Sequence, residues 1–281
     1  MHSLICRRNI ISKNRFFNAI ENRQNQLKSL LCIGLDPDPR RFPECFLREK
    51  EPILAFNKSI IDATADLACC FKPQIAFYAS NGAESELEKT IRYLKDRDIP
   101  VILDAKRGDV GSTAEQYAIE VFERYGADAV TINPYLGFDS MEPFLAYADK
   151  GVIIVCRTSN AGGADLQNLV LQDGSQLYEH VAHQAATTWN SNENIALVTG
   201  ATQPAELSRI RQIVGEMTLL LPGIGAQGGE LAASLEAGEG GGLIVSSSRA
   251  VLYASSGDDF AEAARLAAEA TRDEINAHRG M

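Results

Sequence analysis

The stretch Val101-Ile102-Leu103-Asp104-Ala105-Lys106-Arg107-Gly108-Asp109 passes from an apolar run into alternating charge. An apolar run without polar alternation is how a strand buried on both faces reads. Asp104 closes the run, and Asp109 lies in the turn that follows it. Ser112-Thr113-Ala114-Glu115 then offers a capping box for a helix through Ala118–Arg124, which Gly126 stops. Strand, charged turn and helix form one unit of a parallel α/β architecture.

The unit recurs along the chain. Short runs rich in Val, Ile and Leu occur at Leu31–Leu35, Cys70–Ile75, Val101–Asp104, Ala129–Ile132, Val152–Cys156, Ile195–Thr199, Leu219–Pro222 and Leu243–Ser246, eight in all. Their starts lie roughly 23 to 43 residues apart, which leaves room for one helix between each pair. Pro204 begins one such helix, which runs through Ala205–Val214 to Gly215. The amphipathic stretch Phe260–His278 suits the last outer helix, and Asn14–Leu30 suits an extra helix beneath the barrel. Right-handed parallel crossovers yield either an open doubly wound sheet or a closed barrel, and eight repeats in this length favour closure. The fold class is therefore α/β, a single (β/α)8 TIM barrel with an extra N-terminal helix. Residues 1–14, with Arg7, Arg8 and Lys13 and no acid, read as a basic extension, and 15–281 as the catalytic domain.

Composition narrows the function. With 45% hydrophobic and 23% charged residues in 281, the chain can bury a full core. A net charge of −10 disfavours a nucleic-acid surface, though not a local basic pocket for one anion. No apolar run approaches the roughly 18 residues of a membrane span, and the first residues lack a signal-peptide core. The six cysteines form no C-x-x-C pair, and four histidines are too few for a Cys/His zinc site, so a reduced, cytoplasmic protein without a metal is expected.

In such a barrel, chemistry sits where strands end. Asp36, Lys72, Asp104, Lys106, Asp109, Ser159, Gln227 and Arg249 all fall there. Lys72 and Asp104 emerge directly from buried strands, where an unpaired charge costs several kcal/mol. Asp104 and Lys106 stand two apart on a strand and face one side. Carboxylates keep each Lys protonated, able to oppose developing negative charge and then donate a proton. A solvated strand-end cluster would not need the second Lys from strand two, and a binding module would have no need for two buried Lys, Lys72 and Lys106. The Gly-rich loop Pro222–Gly229 after strand seven and Ser246-Ser247-Ser248-Arg249 after strand eight form a phosphate-binding end, with Gln227 and Arg249 as donors. The loop Cys156–Gly162 offers Ser159 to the polar edge of a ring.

These residues resemble the orotidine 5′-phosphate decarboxylase family. Leu103–Thr113 carries its signature, and Phe71-Lys72-Pro73-Gln74 with Thr158-Ser159-Asn160 is similar to the type 2 bacterial branch. The likeness spans about Phe16 to Tyr253. It implies decarboxylation of orotidine 5′-phosphate to UMP in pyrimidine biosynthesis, with no cofactor. It also implies a charged tetrad of Lys72, Asp104, Lys106 and Asp109, and a homodimer in which Asp109 and Thr113 serve the neighbouring site. Asp36 is implied as a ribose ligand, Ser159 as a pyrimidine ligand, and Gln227 and Arg249 as phosphate ligands. Ala161 departs from the family, where proline is common. A sugar-phosphate lyase or epimerase on the same barrel, or a non-catalytic nucleotide-binding barrel, are the competing readings.

Overall fold

The computed structural model describes residues 14–200, 204–223 and 228–279. Eight strands appear: β1 (Leu31–Leu35), β2 (Cys70–Pro73), β3 (Ile102–Arg107), β4 (Ala129–Ile132), β5 (Gly151–Arg157), β6 (Ile195–Thr199), β7 (Leu219–Pro222) and β8 (Leu243–Ser247). They form one sheet in the order β2-β1-β8-β7-β6-β5-β4-β3, and every pairing is parallel. Single bridges, Phe71 to Val101 and Gln74 to Asp104, join β2 to β3 and nearly close the barrel. Helices alternate with the strands, as expected.

Local boundaries differ in instructive places. β2 ends at Pro73, because the Gln74 side chain accepts a hydrogen bond from Ala76 N and starts the short helix Ile75–Ala79. β3 continues through Arg107, but its register shifts between Leu103 and Arg107. The expected capping box does not form. The helix begins at Gly111, behind a Val110 that gives no side-chain cap, and Ser112 and Thr113 lie exposed in its first turn. Gly111 at φ +53° turns the chain into the helix one residue earlier than the Ser-Thr pair would.

Two packed clusters follow from strand alternation. Outward residues such as Leu31, Ile33, Leu103 and Val130 meet the surrounding helices. Inward residues Cys32, Cys70, Ile102, Ala129, Ile153, Ala196, Leu220 and Ile244 fill the barrel together with Phe16 and Ile20. Phe16 and Ile20 belong to the helix Arg15–Leu27, which plugs the N-terminal end as expected. Asn14 holds it there: its Oδ1 accepts from Phe17 N, and its Nδ2 donates to the carbonyls of Ala148 and Lys150. Burying a Phe contributes about 2–3 kcal/mol. Alternation makes Gly34, Lys72, Asp104, Thr131 and Ser246 the next inward positions, toward the opposite end.

The glycines before β8 have a structural role at the far end. Arg211, on the helix Pro204–Val214, is buried and donates to the carbonyls of Gly215, Met217, Gly238 and Gly242. A Cβ at Gly241 would collide with its guanidinium. No carboxylate among the described residues pairs with it, and burial lowers its pKa to about 10. Arg211→Met should lower stability by about 3 kcal/mol or more, because the carbonyls of Gly215, Met217 and Gly238 lose the guanidinium as donor, while that of Gly242 keeps Leu219 N. Urea unfolding measures this, and a loss near zero would show that water replaces the guanidinium.

Candidate active site

Lys72 from β2 and Asp104 from β3 are both buried at the C-terminal end of the barrel. Lys72 Nζ donates to Asp104 Oδ2 at 3.0 Å, and Lys106 Nζ donates to Asp104 Oδ1 at 2.6 Å. Burial opposes both charges. For Lys72 it is outweighed by the carboxylates of Asp104 and Asp36, which raise its pKa. For Asp104 it is outweighed by Lys72 and Lys106, which hold the carboxyl well below its usual range. Both groups therefore stay ionised across the neutral range. The depressed Asp104 adds stability above the ordinary carboxylate pKa, and that stability is lost as pH falls through its lowered value.

Lys106 departs from expectation. Rather than a second buried Lys, it is exposed, with its side chain 47% accessible. It also sits at φ +45°, off a regular strand. A non-glycine residue in that region costs about 1–3 kcal/mol, so surrounding contacts must impose it. Arg107, the next residue, is fastened outward by a two-pronged ion pair with Glu120.

A cavity of about 560 Å³ opens beside the pair, lined by Asp36, Lys72, Asp104, Arg249 and the segment Ser246–Ser248 at the end of β8, among others. Asp36 follows β1, and its Oδ2 accepts from Ser248 Oγ at 2.5 Å. Its other oxygen is buried with no hydrogen-bond partner among the described residues. The close approach of these loops requires glycine at position 34, since a Cβ there would lie 2.7 Å from Ser248 Cβ. Arg249 opens the short helix Arg249–Leu252 and is exposed. The cavity is thus lined by the cations Arg41, Lys72 and Arg249 and by a carboxylate oxygen with no partner among the described residues, suited to a polar, phosphorylated molecule.

The other expected residues fall elsewhere. Asp109 accepts from Val110 N and takes part in no ion pair among the described residues. Thr113 is exposed on the first turn of its helix. Ser159 is exposed in the loop after β5, against Gly200. That loop is anchored by the buried Arg157, which pairs with Glu206 and donates to Gln167. Gln227 lies outside the described residues.

Two residues of the cavity region escaped the sequence reading. Arg41, in the loop after β1, lines the cavity and stacks 3.8 Å over the Tyr253 ring. Thr131, inward on β4, contacts Asp104 directly. A hydroxyl at an inward position of the apolar run Ala129–Ile132 was the signal available for the second.

Comparison with known proteins places this geometry. The model of the orotidine 5′-phosphate decarboxylase / HUMPS family matches residues 29–266. The chain is 57% identical over 269 residues to orotidine 5′-phosphate decarboxylase of Azoarcus sp. strain BH72, covering 94% of this chain and 99% of that one. It is 56% identical over 271 residues to the same-named protein of Cellvibrio japonicus, again covering 94% and 99%. The solved structure of Leishmania donovani OMP decarboxylase superposes with a TM-score of 0.82 at 39% identity, covering 95% of this chain and 99% of that one. With a family match over the whole barrel and relatives this similar from end to end, the chain belongs to the orotidine 5′-phosphate decarboxylase / HUMPS family.

Proposed function

We propose that the chain decarboxylates orotidine 5′-phosphate to UMP and CO2, a step of pyrimidine biosynthesis in the cytoplasm. The observation that carries this reading is the hydrogen-bonded cluster Lys72–Asp104–Lys106 at the barrel's catalytic end, in a chain so similar to proteins of that name. The bond from C6 to the carboxylate carbon breaks, its electron pair stays on C6, and CO2 leaves. The Lys106 ammonium stabilises the developing carbanion and gives it a proton, then regains one from water. The chain's own cations do this work, with no cofactor called upon.

The remaining residues supply binding. The unpartnered oxygen of Asp36 is an acceptor for a ribose hydroxyl. Ser159 meets the pyrimidine amide, and Gln227 and Arg249 hold the phosphate. Binding energy from the phosphate, remote from C6, closes the site and excludes water. Arg249→Ala should raise KM for orotidine 5′-phosphate by about 10- to 100-fold, the range for a charge-assisted contact. Steady-state kinetics would show it, and an unchanged KM would remove Arg249 from the phosphate site.

Asp109 completes the tetrad from a second copy of the chain. Among the described residues it has no ion-pair partner, and exposed apolar side chains stand beside it at Val110 and on the segment after the neighbouring strand β4 at Tyr135, Leu136 and Phe138. Such a surface suits a homodimer interface, which carries Asp109 and Thr113 to the neighbouring cavity. Substrate choice tests the overall reading. Orotidine 5′-phosphate should be consumed with release of UMP, while a ketose phosphate should be left unchanged. Turnover of the ketose phosphate alone would make the chain a sugar-phosphate enzyme, and UMP binding without turnover would make it a binding protein.

A further inference from the structure

Thr131 is 1% exposed, and its hydroxyl makes three hydrogen bonds within the charged cluster. It donates to Asp104 Oδ1 at 2.8 Å, the same oxygen that accepts from the Lys106 ammonium. It accepts from the backbone N–H of Ala105 and of Lys106, each at 3.0 Å. One donor and both acceptor sites of the hydroxyl are thus in use. The two N–H groups belong to the stretch where β3 loses its register and Lys106 adopts φ +45°. No strand partner could take both of them in a regular ladder. The hydroxyl therefore replaces ladder bonds that the irregular backbone gives up.

The placement of Lys106 depends on this arrangement. Its half-exposed side chain is not held by packing, and its ammonium has one hydrogen-bond partner among the described residues, Asp104. Asp104 fixes the ammonium, and the backbone at Ala105 and Lys106 fixes where the side chain starts. Thr131 touches both.

We propose that the Thr131 hydroxyl is a positioning group that locks the Lys106 backbone and the Asp104 carboxylate together, so that the Lys106 ammonium is aimed at the reacting carbon. This rests on the decarboxylase reading above. Thr131 is not among the residues that line the cavity. It acts through Lys106 and Asp104, so its loss should affect the chemical step more than substrate binding.

The test compares two substitutions that change opposite halves of the side chain. Thr131→Val keeps the shape and removes the hydroxyl, whereas Thr131→Ser keeps the hydroxyl and removes the methyl. Turnover of orotidine 5′-phosphate by the unsubstituted enzyme is measured first, and its absence overturns the decarboxylase reading itself. With an active parent, Thr131→Val should lose about 100-fold in kcat, the order expected when a reacting group is misplaced. Its KM should stay within about threefold of the parent, and Thr131→Ser should keep kcat within about threefold. Equal losses in the two variants would assign Thr131 to packing and overturn the inference, as would a fully active Thr131→Val or a change confined to KM. If Thr131→Val does not fold, Thr131→Cys, of similar size with a weak donor and acceptor, takes its place and is read by the same outcomes.

Discussion

Lys106→Ala should lose at least about 10⁴-fold in kcat on orotidine 5′-phosphate while still binding UMP. The substitution removes two contributions at once. A fixed cation opposite a developing anion is worth roughly 10²–10³ in rate, and a positioned general acid adds about 10²–10⁴. Binding survives because the contacts assigned to phosphate and ribose lie with Arg249 and Asp36, which line the cavity. The fold should survive as well, since the Lys106 side chain is about half exposed and Asp104 keeps the buried partner Lys72 at 3.0 Å. Single-turnover kinetics and UMP calorimetry on the same preparation separate the two effects. Near-normal kcat would remove Lys106 from the chemistry.

Mixing two inactive variants should restore activity. Lys106→Ala destroys the site of its own barrel, and Asp109→Ala destroys the site of its partner, if Asp109 crosses a two-fold interface. Random re-pairing makes half of the dimers mixed. Each mixed dimer assembles one intact site, with Lys106 and Asp109 both present, and one doubly damaged site. The mixture should therefore recover about a quarter of the parent activity, as two-fold symmetry requires. Each variant alone should be nearly inactive, the Asp109 variant because one charge of the alternating tetrad is gone. Among the described residues Asp109 has no ion-pair partner, and its Oδ1 accepts from the neighbouring Val110 N. Recovery near zero after exchange of subunits would mean that Asp109 serves its own barrel.

The barrel was legible because each strand is buried on both faces and therefore reads as an unbroken apolar run. Four of the eight runs differ from the observed strands by a residue or more at one end or both, and the reasons are local. Gln74 caps a helix that a run ending in Ile75 does not reveal. The irregular path through Lys106 is set by contacts to Thr131, which lies on the next strand and far away in sequence. The same distance hid the exposure of Lys106, since apolar neighbours in sequence are not its neighbours in space. That Lys72 and Asp104 need partners could be expected in advance because a buried charge is costly alone, but only the fold brings the two together. Arg41 was missed for the opposite reason. It sits in a loop among other charges, and only the fold brings it over Tyr253 and into the cavity wall.

The charged cluster is expected to decarboxylate orotidine 5′-phosphate with the protein's own side chains. The measurement that tests this most directly follows the absorbance of orotidine 5′-phosphate with purified protein before and after exhaustive treatment with a chelator, while quantifying UMP and CO2. The expected result is equal release of UMP and CO2 at a rate the chelator does not change. No loss of orotidine 5′-phosphate, or a rate that collapses on chelation and returns with added metal, would contradict it.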